Sequence, residues 1–246
     1  MAPFKPSAKK LKIGEMMLSR RQSKIIKVAN FYSTFIKPGN LCYDVGANVG
    51  DKTASLLQVE ARVIAIEPQP SCTKKIQKRF QDRVTIIETG LSDRDGEIEL
   101  QLTHTSTIAS MNSEWIKSVK QQRFRKFNWD RKIKVPITTL DKLILLYGQP
   151  KFIKIDVEGF ELNVLKGLHH RINYICFEFV PEIIKIAIGC VDHLMFLNPN
   201  YEFNWSKGET MIYGLDKWIN GKEMKKILFQ TQGSRIFGDV YARLTL

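Results

Sequence analysis

Cysteine is scarce in this 246-residue chain, with thiols only at Cys42, Cys72, Cys176 and Cys190. None forms a C-x-x-C pair and no histidine stands at finger-like spacing from them, which excludes a disulfide-stapled scaffold and a zinc module. Long apolar runs are missing too: no stretch approaches the roughly 18 residues of a membrane span. The first ten residues contain no apolar h-region, so no secretory signal is expected, and the thiols suit a reducing, cytoplasmic setting. Acidic residues are few, 25 against 38 Lys and Arg, for a net charge of +13. That excess selects no fold, but it favours anionic partners such as nucleic acid, acidic or phosphorylated glycans, or a lipid surface. What is present suits one globular domain, since 43% apolar and 10% aromatic residues supply a sizeable core.

Residues 1–18 read as a basic extension, and residues 19–246 as a single domain. Apolar residues from Ser19 to Ile36 recur at helical spacing until Pro38-Gly39-Asn40 stops them. Leu41–Val45, Arg62–Ile66 and Val84–Ile87 are short apolar runs rich in β-branched residues, separated by helical stretches at 51–59 and 70–80. Runs that do not alternate with polar residues mark strands covered on both faces. The expectation is therefore an α/β fold, a doubly wound, mostly parallel sheet with helices on both faces. An alternating strand at 98–102 precedes a polar loop at 103–116. The pattern then resumes with a strand at 133–138, a helix at 140–147, a strand at 152–156, a helix at 160–168 and a strand at 173–180. The last 60 residues are weaker, with strand candidates at 200–205, 210–213 and 236–244.

Ligands of such sheets bind at the carboxyl ends of the strands. There the first strand gives Asp44-x-Gly46-x-x-x-Gly50. Gly46 permits a sharp turn, Gly50 lets the next helix pack close to the strand, and the helix start offers N–H groups to an anionic ligand. The second strand ends in Glu67-Pro68, 23 residues after Asp44, where a carboxylate can accept two hydrogen bonds from a ribose diol. The middle position is Asn48 rather than the glycine of a pyrophosphate loop. One ribose and no pyrophosphate fits S-adenosylmethionine better than NAD. Asp44 then bonds the ammonium or a water near the methionine moiety, or else caps the turn; Asp93 contacts the adenine edge, or else belongs to a Ser92–Gly96 turn.

Taken together, Tyr43–Gly50, Ile66-Glu67-Pro68, Thr139-Leu140-Asp141 and the block Phe152–Gly167 (Phe-Ile-Lys-Ile-Asp-Val-Glu-Gly-Phe-Glu-Leu-Asn-Val-Leu-Lys-Gly) resemble the FkbM-type methyltransferases. The resemblance covers Leu41 to Pro181, the core of the domain. It implies a class I methyltransferase (Rossmann-like) fold, S-adenosylmethionine as donor, and O-methylation of a hydroxyl on a sugar, glycan or small-molecule metabolite. Residues 1–36 and 190–246 match no family motif, so the acceptor is not legible.

Methyl transfer from a sulfonium needs a positioned acceptor oxygen and a group to take its proton. Alternation puts Lys154 and Asp156 on one strand face, with Glu158 just beyond and Glu178 near the end of the next strand. Asp156 or Glu158 is expected to be the base or to position the acceptor, with Lys154 as modulator; the bland alternative is a structural Lys154–Asp156 pair. Asp156, Glu158 and Glu178 could also hold a divalent ion, but three carboxylates without a spacing rule do not call for one, and no metal is expected. Glu161 opens a helix, where negative charge is favourable anyway. His104 and Ser106 lie in the polar loop before Trp115, a candidate acceptor lid; His104 is a second candidate base or merely solvated. His169-His170 is expected to cap a helix C-terminus, and His193 offers less.

Positive charge is concentrated in residues 5–27, with eight Lys and Arg against Glu15. Residues 117–134 hold another eight against Asp130, interleaved with Phe124, Phe127 and Trp129. Such a segment suits a nucleic-acid backbone, an anionic glycan or a membrane surface, or is a solvated helix face followed by an edge strand. A ribose 2′-O-methyltransferase acting on RNA is therefore the second reading.

Overall fold

The computed structural model describes residues 8–244. In chain order the elements are α1 (Ala8–Tyr32), β1 (Leu41–Val45), α2 (Asp51–Gln58), β2 (Arg62–Ile66), α3 (Pro70–Phe80), β3 (Val84–Ile87), β4 (Gly90–Leu91), β5 (Gly96–Leu102), α4 (Ser113–Gln121), β6 (Arg131–Thr138), α5 (Leu140–Tyr147), β7 (Phe152–Ile155), α6 (Glu161–Lys166), β8 (Tyr174–Phe179), α7 (Ile184–Leu197), β9 (Tyr201–Lys207), β10 (Ile219–Asn220), α8 (Gly221–Gln230) and β11 (Gly238–Leu244). The main sheet runs β3-β2-β1-β7-β8-β11-β9-β10. Neighbours from β3 to β8 pair parallel, whereas β11 is antiparallel to both β8 and β9. The expected doubly wound, mostly parallel sheet is therefore present, with a reversed strand, β11, inserted between β8 and β9.

Side-chain alternation explains why the parallel strands read as unbroken apolar runs. Tyr43, Val45, Ile64, Ile66, Ile153, Ile155, Ile175 and Phe177 point to one face, under α5 to α8. Cys42, Val63, Ala65, Phe152 and Cys176 point to the other, where Val28, Phe31 and Tyr32 at the C-terminal end of α1, Phe35 in the turn after it and Leu56 of α2 cover them. The four cysteines are free and buried. Among the described residues no helix is long and apolar enough to cross a membrane.

The structure departs from the sequence reading in several places. Helix α1 starts at Ala8, inside the stretch read as an extension, and its last turn unwinds at Tyr32 instead of Ile36. Residues 1–7 of that stretch lie outside the described residues. The expected irregular loop 103–116 closes into α4 from Ser113, because Asn112 caps it by accepting from the amides of Glu114 and Trp115. Trp115, which follows the loop expected to form a lid, is fully buried and packs with Ile108, Ile116, Val119, Val180 and Ile183. Residues 210–213 form no strand, since Asn204 instead bonds both backbone groups of Leu215 and folds that segment as a loop. Strands β4, β5 and β6 form a second, three-stranded sheet. Helices α7 and α8 were missed; α8 carries a readable signal, the capping box Asn220–Glu223.

Candidate functional site

The carboxyl ends of β1, β2, β7 and β8 surround a cleft of about 290 Å³. Its floor begins at the turn after β1. The amides of Gly46 and Ala47 both donate to the Ile66 carbonyl, at 2.9 and 3.1 Å, pinning that turn to β2. Gly46 has φ +79°, and a Cβ there would lie 1.8 Å from the Asp156 carbonyl oxygen, so only glycine lets the two chain segments meet. Asn48 takes φ 49°, a left-handed conformation that Asn tolerates better than most residues. Gly50 serves differently from expectation: its missing side chain makes room for the Phe80 ring of α3, 2.5 Å from a built Cβ, not for β1.

Glu67 is 2% exposed at the end of β2. Its two oxygens each accept a backbone amide, from Asn48 at 2.8 Å and Gln69 at 2.9 Å. Burial raises its pKa, opposed by those two amides. Each carboxylate oxygen retains a second lone pair, and the residue lines the cleft. Ser106 was read as part of an acceptor loop, but it is fastened to the glycine turn. Its carbonyl accepts from Asn48 Nδ2 and Gln69 Nε2 at 2.9 and 3.1 Å, and its hydroxyl donates to Asn48 Oδ1 at 3.0 Å. Leu91, Leu100, Ala109 and Met111 make an apolar wall beside it.

Asp44 lies below the cleft. It is 1% exposed and its Oδ2 accepts from Thr53 Oγ1 at 2.5 Å, tying α2 to β1. Burial pushes its pKa up to about 6, against the Thr53 hydroxyl and Lys154. Of its two readings, turn anchor is the one this geometry fits.

The second half of the site follows β7. Lys154 is 1% exposed, with Nζ 2.9 Å from Asp239 Oδ1 and 3.4 Å from Asp156 Oδ2. Burial pulls its pKa down, but the two aspartates outweigh that and hold it well above the ordinary lysine value. It sits behind the cleft wall instead of in it, so it can act only through Asp156. Asp239 escaped sequence reasoning, because it meets Lys154 across 85 residues of chain.

Beyond Asp156 the backbone turns left-handed twice, at Glu158 (φ 52°) and Gly159 (φ 89°). A conformation of this kind in a non-glycine residue costs about 1–3 kcal/mol and persists only when its surroundings fix it. Here Ser110 Oγ donates to the Glu158 carbonyl (2.7 Å), Asn112 Nδ2 to the Gly159 carbonyl (2.6 Å), and the Val157 and Gly159 amides both donate to Glu161 Oε1 (3.2 Å). Glu161 is thus a loop clamp; burial pushes its pKa up to about 7.

The loop delivers Glu158 beside Asp156 and Glu178, and one oxygen from each lies within 4.8 Å of the others. Burial raises the Glu158 and Glu178 carboxyls well above the usual range, and Asp156 adds to both. Three carboxylates this close do not ionise freely together. They share protons among themselves, so the cluster can take a proton from a bound hydroxyl, and its oxygens also form a donor set suited to a hard divalent cation.

Other expected site residues are elsewhere. Asp93 is exposed and held in its turn by the Ser92 hydroxyl and Arg94, with no side in the cleft, so the turn reading replaces the adenine contact. His104 is exposed and stacks on Phe127 (centroids 5.1 Å apart, 8° between planes), and it does not line the cleft. His169 and His170 bond Asp141 of α5 at 2.7 and 2.8 Å instead of capping their own helix, while His193 Nε2 donates to the Leu168 carbonyl. Phe124, Phe127 and Trp129 pack with Trp115 and are not a free stacking face.

Comparison with known proteins is consistent with this geometry. The methyltransferase FkbM domain matches residues 44–198. Hexuronic acid methyltransferase AglP of Haloferax volcanii is 26% identical over 147 residues, 57% of this chain and 55% of the relative, so the chain spans about half of that protein's length. Among solved structures, magnesium protoporphyrin IX methyltransferase of Synechocystis PCC 6803 with bound S-adenosylmethionine aligns over 99% of this chain and 87% of its own, at TM-score 0.46 and 10% identity. Aeropyrum pernix fibrillarin aligns over 84% and 67%, at TM-score 0.43 and 11% identity. At TM-scores below 0.5 neither bears on donor or acceptor.

Proposed function

The chain belongs to the FkbM methyltransferase family, and from that premise we propose that it uses S-adenosylmethionine to methylate a hydroxyl group of a sugar. The observation that carries the reading is a single cleft with two chemically distinct ends. One end offers Glu67, with lone pairs for a ribose diol, beside the Gly46–Asn48 turn and an apolar wall for a base; the other offers Asp156, Glu158 and Glu178. That donor set fits a nucleoside with one ribose. When bound, S-adenosylmethionine supplies an electrophilic methyl group.

The protein's own part is to hold the acceptor hydroxyl and take its proton. A carboxylate of the Asp156–Glu158–Glu178 cluster accepts that proton, helped by a low-dielectric site that keeps its proton affinity high. Lys154, fixed by Asp239, orients Asp156 from behind. The Haloferax relative, a hexuronic acid methyltransferase, supports a sugar as acceptor class.

The test is transfer of a labelled methyl group to a panel of mono- and oligosaccharides, with product linkage read by mass spectrometry. Label on a sugar oxygen, lost in Glu158→Gln with S-adenosylhomocysteine binding retained, is the expected result. Label on nitrogen, or only on nucleic acid, overturns the reading.

A further inference from the structure

A groove runs from the cleft rim across the ends of β9 and β11, and its lining carries five cations against two carboxylates. Glu209 stands on both the cleft and the groove, paired with Lys24 and 3.6 Å from Lys52. From there Lys27, Lys207, Arg235 and Phe237 line the first part, and Arg235 and Phe237 continue into a second hollow of about 570 Å³ with Arg123 and Arg125. Among the described residues Lys27, Lys207 and Arg235 have no carboxylate partner. Leaving several cations unpaired on one concave strip is unfavourable by mutual repulsion and is relieved by a bound anion.

Arg123 is the built element of the strip. It bonds Glu182 at 3.2 Å, lies 4.5 Å over the Phe237 ring, and its charge acts on Glu158 in the cleft. The loop bearing Glu182 thus connects the groove to the carboxylate cluster.

We propose that this groove is the acceptor subsite for an anionic carbohydrate, with a carboxylate or phosphate oxyanion on Arg235 and its basic neighbours and the sugar's apolar face against Phe237. The inference rests on the sugar methyltransferase reading and names the acceptor's charge. Two observations favour carbohydrate over RNA. Phe237, 39% exposed, is the one aromatic ring in the groove lining, whereas base stacking draws on successive rings. Glu182 and Glu209 also line it, which suits sugar hydroxyls as donors and opposes a continuous phosphate backbone.

The experiment is direct binding to the full chain, without donor, of four probes: a glucuronate-containing tetrasaccharide, a phosphorylated mannose oligosaccharide, neutral maltotetraose and a single-stranded RNA decamer. Each is measured at low and high salt for the wild type, Arg235→Glu and Phe237→Ala, and every variant is also titrated with S-adenosylhomocysteine. At least one anionic sugar is expected to bind, more weakly at high salt, with Arg235→Glu losing about tenfold or more and Phe237→Ala a smaller factor. The two charged sugars separate a carboxylate acceptor from a phosphate one. Equal binding of maltotetraose, no loss in Arg235→Glu, or tighter binding of RNA overturns the subsite. If S-adenosylhomocysteine binds throughout while no charged sugar does, the groove assignment fails and the methyltransferase reading stands; if S-adenosylhomocysteine does not bind the wild type, that reading fails itself.

Discussion

Replacing Glu67 with Gln separates the two jobs this side chain is given. Its oxygens accept the Asn48 and Gln69 amides at 2.8 and 2.9 Å in a site that is 2% exposed. Glutamine keeps one oxygen and turns the other into an NH2, so one buried amide faces a donor. Leaving a buried amide unsatisfied costs about 1–3 kcal/mol, and urea unfolding should show a loss of that size. Hydrogen bonds from a ribose diol to a charged carboxylate contribute about 1.5–3 kcal/mol each. Losing one weakens S-adenosylhomocysteine binding by at least about tenfold. Calorimetric titration at neutral pH reads this, provided the variant is first shown to be folded at that temperature. A variant that loses stability as stated yet binds the nucleoside like the wild type would refute the reasoning: Glu67 would then be a brace for the loop and nothing more.

Other perturbations follow from the same geometry. Gly46→Ala places a methyl 1.8 Å from the Asp156 carbonyl oxygen at a positive φ, so the β1–β7 contact must open; loss of nucleoside binding is expected, and unchanged affinity would contradict the structure. Asp44 has a folded pKa raised from 3.8 to about 6, so its protonated form stabilises the fold fully below about pH 4 and that contribution is lost as pH rises through about 6. About two units correspond to about 3 kcal/mol; Asp44→Asn still accepts from Thr53 but cannot ionise, and it should remove up to that much from the decline in unfolding free energy across this window, a decline that urea melts at stepped pH measure. Glu158 and Glu178 are both held high, each in part by carboxylate neighbours. Turnover should therefore rise with pH as the cluster gives up a proton, and Glu178→Gln should move that limb to lower pH by removing a like charge; a limb that stays in place argues against Glu158 as proton acceptor.

The strands were legible because burial on both faces leaves a mark that needs no tertiary knowledge. Arg62–Ile66 and Val84–Ile87 stand where their apolar runs do, and β1, β7 and β8 agree to within a residue at each end. Half of the site was legible for the same reason: Gly46, Glu67, Asp156 and Glu158 follow the ends of those strands, and strand ends converge in a parallel sheet. Reading failed where a partner far along the chain decides. Lys154 alternates with Asp156 in sequence, but Asp239 draws its ammonium behind the wall. Trp115 sits in a polar stretch that reads as loop, yet the bare Gly159 backbone leaves it a slot, 2.4 Å from where a Cβ would be. Asp93 was drawn in by its place after the third strand and His104 by its residue type, and side-chain partners within the turn and on Phe127 account for both.

A common cause connects the buried polar residues beneath the cleft. Asp44, Lys154, Glu178 and Asp239 lie on adjacent strands: Asp44 pairs in register with Lys154, and Asp239 with Glu178. Placing several ionisable groups on one covered face is unfavourable unless charges compensate, and Lys154 is the one cation among these four. Its attraction to Asp156 and Asp239 is what permits acids to gather at the end of an otherwise apolar sheet. Glu158 and Glu178 make no ion pair with Lys154; burial and the Asp156 carboxylate hold their proton affinity high, and the lysine's charge offsets this only in part. Asp156, bonded to a fixed lysine, and two carboxyls of raised proton affinity therefore meet within 4.8 Å of one another at the acceptor end of the cleft. Such a cluster is what a site needs if it is to take a proton from a weakly acidic hydroxyl and pass it on to water.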